Sequence, residues 1–344
     1  MNQTIEHRLT TIVPAYDEAE SVGETVRSLR EQTLTPGRIV VVDDCSNDDT
    51  AAIAAAAGAE VIAPPRNTGS KAGAQTYALE QVRTEFVMAV DADTTLAPDA
   101  IEKLAPALDD PEVAAACGFV VPRRVRTIWE RGRYVEYMLA FSFFKRIQDH
   151  FGKPLISSGC FSIYRTAELC DAGAWSTRTM AEDMDLTWTL YRAKHRVRFV
   201  PEAVSYPLEP HNFEFMSKQL RRWSHGFVQN VRLHWRSALE LGYLRSIVAV
   251  GFWDAVLASV AYLFLLPLLA VLLTPTILLA YLVDAPVVMV PVLWQAVGRG
   301  ETMRALACLP SFFVLRIVNA VFMLIAVWRE LIVRRPLLVY EKGH

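Results

Sequence analysis

The 344-residue sequence predicts an α/β domain with a mostly parallel sheet, followed by interface helices and then by C-terminal transmembrane helices. Two observations support this fold class. Short β-rich runs alternate with helical stretches through residues 1–100, which is the pattern of a parallel sheet with helices on both faces. Charged residues occur at ordinary density up to residue 245, whereas residues 246–333 carry very few. A soluble domain therefore precedes a membrane region.

The expected strands cover residues 9–13, 38–42, 60–63 and 86–90, and the expected helices cover residues 21–32, 48–57 and 70–82. Ser21 and Glu24 have the spacing of a capping box at the start of the first helix. In such sheets, ligands bind beyond the carboxyl ends of the strands. We therefore expect a site among the residues that follow the strands: Tyr16, Asp17, Asp43, Asp44, Asp91 and Asp93.

The bulk composition limits the possible partners and the compartment. A net charge of −2 argues against a polyanionic partner such as nucleic acid. The five cysteines are scattered without CxxC pairing, which indicates free thiols in a reducing compartment. Residues 1–10 are polar and lack the apolar core of a signal peptide, so the α/β domain is expected in the cytosol.

Residues 255–283 contain no charge and are too long for a single span of about 20 residues. Thr274 and Pro275 predict a turn between two spans, at about 250–272 and 275–297. A third candidate, about 305–328, contains Arg316. The resulting division is a cytosolic domain (1–210), amphipathic interface helices (211–245), a transmembrane region (246–333) and a tail (334–344).

Two features of this membrane region have alternative interpretations. The basic run at 221–236 suits the cytosolic side by the positive-inside rule. A third full span would then place Arg334 and Arg335 outside, against that rule, so the third segment either spans or is re-entrant or interfacial. The aromatic segment at 129–148 is either a packing helix of the core or a helix that touches the bilayer interface.

Two acidic motifs follow predicted strands. Asp91 and Asp93 are carboxylates at positions i and i+2, and such a pair can share a hard divalent cation that also holds a diphosphate. A loop rich in Asp for turn reasons is the alternative. Asp43 or Asp44 can accept the imide proton of a uracil ring, or the two residues are part of the cap of the following helix.

Two further motifs stand near helices. Glu182 and Asp183 precede a predicted helix at 184–192, where a carboxylate can take the proton of an attacking hydroxyl or simply favour the helix start. Gln219, Arg222 and Trp223 are helical neighbours at i, i+3 and i+4. The Arg offers a fork for phosphate oxygens and the Trp a flat apolar wall. A membrane-interface helix with basic and aromatic anchors is the alternative for this motif.

Taken in order, these motifs resemble the processive family 2 glycosyltransferases, which include cellulose, chitin, hyaluronan and poly-N-acetylglucosamine synthases. The resemblance covers residues 8–235. It implies a GT-A fold, an inverting mechanism, a UDP-sugar donor and a divalent metal, Mg²⁺ or Mn²⁺. The matching segments are Pro14 to Glu18, Asp43-Asp44, Lys71, Asp91-Ala92-Asp93, Glu182-Asp183 and Gln219 to Trp223.

The resemblance also implies roles for individual residues. Asp183, beside Glu182, is the base, Asp93 with Asp91 binds the metal, and either Asp43 or Asp44 reads the uracil. The loop Ser158-Gly159-Cys160, together with Trp223, faces the acceptor. Donor binding falls to a larger set: Pro14, Tyr16, Glu18, Asp43, Asp44, Lys71, Asp91, Ala92, Asp93, Gln219, Arg222 and Trp223.

The sequence thus predicts a hexosyltransferase of the plasma (inner) membrane, multi-pass and with a cytosolic catalytic domain, which extends a β-linked glycan processively. Transfer of one sugar to a polyprenyl phosphate or another lipid-linked acceptor is the alternative. A non-enzymatic scaffold and a transporter are weaker hypotheses, because the acidic residues and Arg222 are all present. Ala181 replaces the Thr that is usual in the family. With two or three spans and none ahead of the domain, a channel is expected to need another copy or a partner.

Overall fold

The computed structural model describes residues 7–240, 242–283 and 285–337. Eight strands form one sheet. Their bounds are β1 (Leu9–Ala15), β2 (Arg38–Asp43), β3 (Glu60–Ile62), β4 (Phe86–Val90), β5 (Thr94–Leu96), β6 (Val113–Val120), β7 (Phe161–Arg165) and β8 (Arg196–Pro207).

The helices fall in three groups along the chain. The first group alternates along the chain with strands β1 to β6: α1 (Val22–Arg30), α2 (Thr50–Ala56), α3 (Lys71–Leu79) and α4 (Ala100–Leu104), the last followed by a 3-10 turn (Ala105–Leu108). The second comprises α5 (Ile128–Leu139), a π-helical turn (Ala140–Phe144), α6 (Lys145–His150), α7 (Thr166–Asp171) and α8 (Glu182–Arg192). The third comprises α9 (Phe213–Glu240), α10 (Gly242–Trp253), π-helical turns (Asp254–Ala258, Ala261–Leu265), α11 (Leu266–Leu272), a 3-10 helix (Pro275–Leu282), α12 (Ala285–Gly298), α13 (Thr302–Val327) and a final π-helical turn (Trp328–Ile332).

The sheet has the strand order β3-β2-β1-β4-β7-β6-β8-β5. Strands β3, β2, β1 and β4 are parallel, as the alternating sequence predicts, and Pro14 of β1 pairs with Val42 of β2. Beyond β4 the sheet is mixed, because β7 runs antiparallel to both β4 and β6. The backbone N–H of Asp91, just after β4, donates to the carbonyl of Cys160, just before β7, over 3.3 Å. Strand β7 therefore starts where β4 ends and runs back.

The buried strands explain why this sheet forms. Every residue of β1, β4 and β6 is buried, which is typical of strands that are covered on both faces. The side chains of Val22, Val26 and Leu29 in helix α1 pack into the same core. The polar residues that follow the strands stay at the carboxyl edge of the sheet.

Several element ends differ from the sequence-based prediction. Strand β1 continues through Pro14 to Ala15. The predicted capping box at Ser21 is wrong, because the Ser21 hydroxyl donates to Oε2 of Glu18 over 2.8 Å. Helix α8 begins at Glu182, two residues earlier than predicted, so both acidic residues of that motif lie in its first turn. A capping box forms instead before α5, between Thr127 and Glu130.

The chain divides into two compact units. The first comprises the described residues of Met1–Arg123 together with Lys145–Leu208, and the second comprises Arg124–Phe144 and the described residues from Glu209 onward. The aromatic segment is thus split, with α5 in the second unit. There, Gly132 of α5 lies against α13, and a Cβ at this glycine would stand 3.0 Å from the carbonyl oxygen of Ser311. This glycine lets the two helix backbones approach closely.

Among the described residues of the second unit, three helical stretches are long and apolar enough to cross a membrane: Val248–Leu272, Pro275–Gly298 and Thr302–Ile332. They coincide closely with the three predicted spans. The predicted turn is confirmed as well, since Thr274 is the N-cap of the second stretch and its hydroxyl accepts the backbone N–H of Thr276 over 3.4 Å. How often the chain crosses the membrane stays a prediction.

A buried polar cluster joins α9 to the end of the third stretch. Nδ1 of His225 lies 2.6 Å from Oε1 of Glu330, and both side chains are only 1% exposed. The same carboxylate oxygen accepts bonds from the Gln229 amide over 2.8 Å and from the Leu337 backbone N–H over 3.0 Å. One carboxylate therefore fixes α9, the final π-helical turn and the segment that follows it.

Candidate active site

The residues after β4 are held by their backbone. Thr25 Oγ1 donates to the carbonyl of Ala92 over 2.8 Å. The carbonyl of Asp93 accepts from Arg123 Nη2 over 2.6 Å and from the Leu208 backbone N–H over 3.2 Å. The buried strand and these three bonds define the direction of the loop, so the Asp91 and Asp93 carboxylates occupy set positions at the edge of the sheet.

Lys71 lies in the first turn of α3 and forms an ion pair with Oδ1 of Asp91. Its Nζ also donates to the carbonyl of Gly159 over 3.1 Å and lies 3.7 Å from Oε1 of Glu182. Burial alone would lower the pKa of Lys71, but the charges of Asp91, Glu182 and Asp183 raise it above its usual value. The ammonium is therefore a permanent cation between two of the predicted acidic motifs.

Asp183 lies in the first turn of α8. Its Oδ2 accepts the backbone N–H of Gly159 and its Oδ1 accepts the backbone N–H of Met184, each over 2.9 Å. Burial and the charge of Glu182 raise the pKa of Asp183 to about 6, although Lys71 and the two N–H donors act in the opposite direction. The carboxylate is thus ionised at neutral pH and remains a stronger base than an ordinary Asp.

The loop predicted to face the acceptor connects these groups. A Cβ at Gly159 would stand 2.9 Å from Oδ2 of Asp183 and 3.1 Å from Nζ of Lys71, so a side chain here would push the carboxylate or the ammonium aside. On one side, Ser158 Oγ accepts from Lys145 Nζ over 2.7 Å. On the other side, burial raises the pKa of the Cys160 thiol. The structure brings this loop together with Lys71, Asp91, Glu182 and Asp183.

A second group of predicted residues follows β1. Pro14 is the next-to-last residue of that strand, so Tyr16 and Glu18 emerge at the carboxyl edge of the sheet. The Glu18 backbone N–H donates to Thr50 Oγ1 over 2.7 Å, and Asn47 Nδ2 donates to the Tyr16 hydroxyl over 3.4 Å. The loop after β2 therefore supports the loop after β1.

Asp43 and Asp44 have different environments. Both carboxylate oxygens of the buried Asp44 accept bonds from Thr68, one from its backbone N–H and one from its hydroxyl, each over 2.8 Å. Asp43 is partly exposed, and its Oδ1 accepts the Ser46 backbone N–H over 3.1 Å. Asp44 thus holds the loop that leads into α3, whereas Asp43 is the better placed of the two to read a base.

The acidic residues after β4 fit a divalent cation by their donor chemistry. Within residues 7–240, 242–283 and 285–337, no three His, Cys, Asp or Glu side chains converge as a metal-binding group. Mg²⁺ sites in enzymes often use one or two carboxylates, with water and substrate phosphates as the other ligands. Asp93 and Asp91, the latter paired with Lys71, have the donor chemistry for such a site, and their metal binding stays a prediction.

The helical motif belongs to the second unit and lies in α9. Oε1 of Gln219 accepts from Arg133 Nη2 over 2.7 Å, and the Arg133 guanidinium carbon lies 4.3 Å from the centroid of the Trp223 ring. Arg222 lies one residue before this Trp. Sequence reasoning did not identify Arg133, and its only sequence signal is an arginine within an aromatic segment.

Residues 10–169 match the family model Glycosyl transferase family 2. These residues are a glycosyltransferase family 2 domain. The predicted family 2 domain is thereby confirmed for these residues, and it supports the predicted enzyme class, a hexosyltransferase. Processivity stays a prediction. The matched region ends before the acidic motif of α8 and before α9, so the roles of the individual residues stay predictions.

Curated relatives of this chain carry the name poly-β-1,6-N-acetyl-D-glucosamine synthase. The protein of Staphylococcus aureus strain COL is 24% identical over 225 residues, and that of Staphylococcus epidermidis is 27% identical over 231 residues. Each alignment covers 63% of this chain and 54% of the relative. The chain thus spans about half the length of the curated relatives that it matches.

The fold has a counterpart among solved structures. The mannosyltransferase PcManGT from Pyrobaculum calidifontis, solved in complex with GDP-Man and Mn²⁺, superposes with a TM-score of 0.65 at 18% identity. The superposition covers 95% of this chain and 88% of the mannosyltransferase. The predicted GT-A fold followed by C-terminal helices is confirmed by this likeness together with the family match.

Proposed function

We propose that this chain is a membrane-bound inverting glycosyltransferase that uses a UDP-sugar and a divalent cation to extend a β-linked glycan processively. The observation that carries the proposal is the Asp183 carboxylate, held by the Gly159 N–H beside the Lys71–Asp91 ion pair at the carboxyl edge of the sheet. The names of the polysaccharide-synthase relatives support a polymeric product.

In the proposed reaction, Asp183 accepts the proton of an acceptor hydroxyl. The hydroxyl oxygen forms a bond to the anomeric carbon while the bond from that carbon to the diphosphate oxygen breaks. Attack from the face opposite the diphosphate converts an α-linked donor into a β-linked product and releases UDP. A base with a pKa of about 6 is ionised at neutral pH and suits this proton transfer.

The remaining predicted residues have supporting roles in this proposal. A divalent cation held by Asp93 and Asp91 would offset the charge of the leaving diphosphate. Lys71 keeps a positive charge next to Asp91 and thereby limits repulsion between the acidic motifs. In the first unit, the nucleoside lies between Tyr16 and Glu18, and Asp43 reads the uracil. Pro14, Asp44 and Ala92 are the other donor-site residues of this unit. The predicted donor contacts of Gln219, Arg222 and Trp223 in the second unit stay predictions.

The membrane region defines the setting of the reaction. Three helical stretches suited to a bilayer follow the domain, which supports a multi-pass protein of the plasma membrane with its catalytic domain in the cytosol. The acceptor is a growing glycan or a lipid-linked glycan. In the first unit, the residues proposed to meet it are Ser158 to Cys160. Export of a long product would involve a second copy or a channel partner.

The decisive experiment uses the full chain purified in detergent, with a panel of UDP-sugars and either Mg²⁺ or Mn²⁺. We expect UDP release from at least one donor, and we expect Asp183→Asn to reduce it by about 10²–10⁴-fold. Asp171→Asn, an exposed carboxylate on α7, is the matched control and should retain full activity. Near wild-type transfer by Asp183→Asn would contradict the base, and no release from any donor would contradict the function.

Product sizing separates processive synthesis from the alternative. A ladder of oligosaccharides made from one UDP-sugar supports processive extension. A single lipid-soluble product made from an added polyprenyl phosphate indicates transfer of one sugar to a lipid. The two products partition differently between water and organic solvent, so one extraction distinguishes them.

A further inference from the structure

Arg133 is a fully buried cation in the second unit, with a side chain that is 0% exposed. Removing a guanidinium from water costs several kcal/mol unless neighbouring groups compensate. Here Glu136 forms an ion pair with Arg133, and Oε2 of Glu209 lies 3.8 Å from its Nε. The fold therefore holds a positive charge at one defined point next to α9.

Arg133 contacts two of the three motif residues in α9. Its Nη2 donates to Gln219, and its guanidinium lies over the Trp223 ring within the range of a cation–π interaction. Gln219 and Trp223 are four residues apart and share one helix face. A single side chain from α5 thus fixes the orientation of both.

The guanidinium of Arg133 determines how the Gln219 amide is oriented. Arginine has only hydrogen-bond donors, so Gln219 must present its oxygen to Arg133, and its NH₂ group must point elsewhere. The Arg133 guanidinium covers one face of the Trp223 indole, and 36% of Trp223 remains exposed. Arg133 therefore determines which parts of the motif are available: two amide donors and the uncovered part of the indole.

We propose that Arg133 is a positioning residue that holds Gln219 and Trp223 ready to bind the carbohydrate acceptor. The apolar face of a sugar ring fits the indole, and sugar hydroxyls fit the amide donors. The identity of the ligand rests on the proposed function. The positioning itself rests on the contacts of Arg133 alone.

The first test needs no substrate. The fluorescence of Trp223 is obtained by subtracting the spectrum of Trp223→Phe from that of the parent, in the wild type and in each Arg133 variant. We expect Arg133→Met to raise acrylamide quenching of this component by ~2-fold, because a second indole face becomes accessible. Arg133→Lys keeps the charge and should give an intermediate value. Arg131→Met, exposed on the same helix, should leave the quenching unchanged.

The second test measures kinetics with a UDP-sugar and an oligosaccharide acceptor. We expect Arg133→Met to raise the acceptor KM by about 5–30-fold, which is more than it raises the donor KM, while the pH profile stays near wild type. In a protein that already carries Trp223→Phe, Arg133→Met should raise the acceptor KM much less, because Arg133 acts through Trp223. Arg133→Lys should restore part of the acceptor affinity.

A folding defect is separated by a paired variant. Arg133→Met removes a cation that lies beside the buried Glu209 carboxylate, so Arg133→Met/Glu209→Gln removes this pair of charges and should recover part of the Tm without restoring the quenching. Unchanged Trp223 quenching in this pair would overturn the positioning role, as would an effect on the acceptor KM that is fully additive with Trp223→Phe. If the wild type turns over no UDP-sugar, the proposed function fails, and the quenching series still decides the role of Arg133.

Discussion

The backbone N–H of Gly159 donates to Oδ2 of Asp183 over 2.9 Å, and a Cβ at Gly159 would stand equally close to that oxygen, at 2.9 Å. We therefore expect Gly159→Ala to displace the carboxylate and to lower kcat by about 100-fold, with little change in the donor KM. Gly298→Ala, where a Cβ meets nothing within 4 Å, is the control. Unaltered UDP release by Gly159→Ala would show that the loop tolerates a side chain and does not position Asp183.

The pH dependence of activity should follow Asp183. Its pKa is about 6 and only the ionised form accepts a proton, so kcat/KM should fall tenfold per pH unit below about 6. The Lys71 charge lowers this pKa, so Lys71→Met should move the acidic limb upward by about 1 unit. Measuring the rate of UDP release from about pH 4.5 to about pH 8 tests both expectations, because this range includes the pKa of Asp183. A limb that stays in place in Lys71→Met would contradict the assignment of the limb to Asp183.

The same carboxylate should cost stability. Its pKa rises from 3.8 to about 6 on folding, so its contribution to stability is fully present below pH 3.8 and is lost as the pH rises through 6. At pH 7.5 the neutral Asp183→Asn should therefore be more stable by about 1–2 kcal/mol, a figure reduced for partial exposure. Thermal unfolding in detergent at pH 7.5 and near pH 4 measures this gain, which should nearly vanish at the lower pH.

Asp43 and Asp44 should respond differently to the same substitution. Asp44→Asn removes one of two acceptors for Thr68 at a buried position and should destabilise the protein by about 1–3 kcal/mol. Asp43→Asn should instead raise the KM for the UDP-sugar at nearly constant Tm. Each variant serves as the control for the other. Reversal of the two phenotypes would assign base reading to Asp44.

Metal dependence should be traceable to Asp93. We expect EDTA to abolish UDP release and Mn²⁺ or Mg²⁺ to restore it. Asp93→Asn should raise the metal concentration needed for half-maximal activity by about 10–100-fold. Asp109→Asn, an exposed carboxylate in the same unit, should titrate like the wild type. Metal-independent release by the wild type would exclude this role for the motif.

The sequence was most informative where the chain has a local, periodic pattern. The run at Phe86–Val90 is apolar throughout, and the structure forms β4 over the same residues. The three apolar stretches likewise begin and end within a few residues of the predicted positions, because a long uncharged run is typical of a membrane-spanning helix. The position of Asp91 and Asp93 could be predicted from this strand, because ligands bind at the edge of the sheet where parallel strands end.

Prediction failed where distant residues compete with local signals. Ser21 has the spacing of a cap, yet its hydroxyl bonds to Glu18, because the loop after β1 folds back on α1. Strand β7 pairs antiparallel with β4, and no local pattern indicates that direction. Arg133 looks like any charged helix residue, and its partner Gln219 lies 86 positions away. Burial of a charge depends on such long-range contacts, which a single sequence does not reveal.

The buried pair of His225 and Glu330 has a practical consequence for anyone who shortens this chain to obtain a water-soluble enzyme. A cut before the third apolar stretch removes Glu330 and leaves His225 without its hydrogen-bond partner, a loss of about 1–3 kcal/mol for a buried polar group. Such a fragment would retain α9 with its motif while losing the group that secures it. Detergent-solubilised full-length protein is therefore the appropriate starting material for crystals, cryo-microscopy and inhibitor screens.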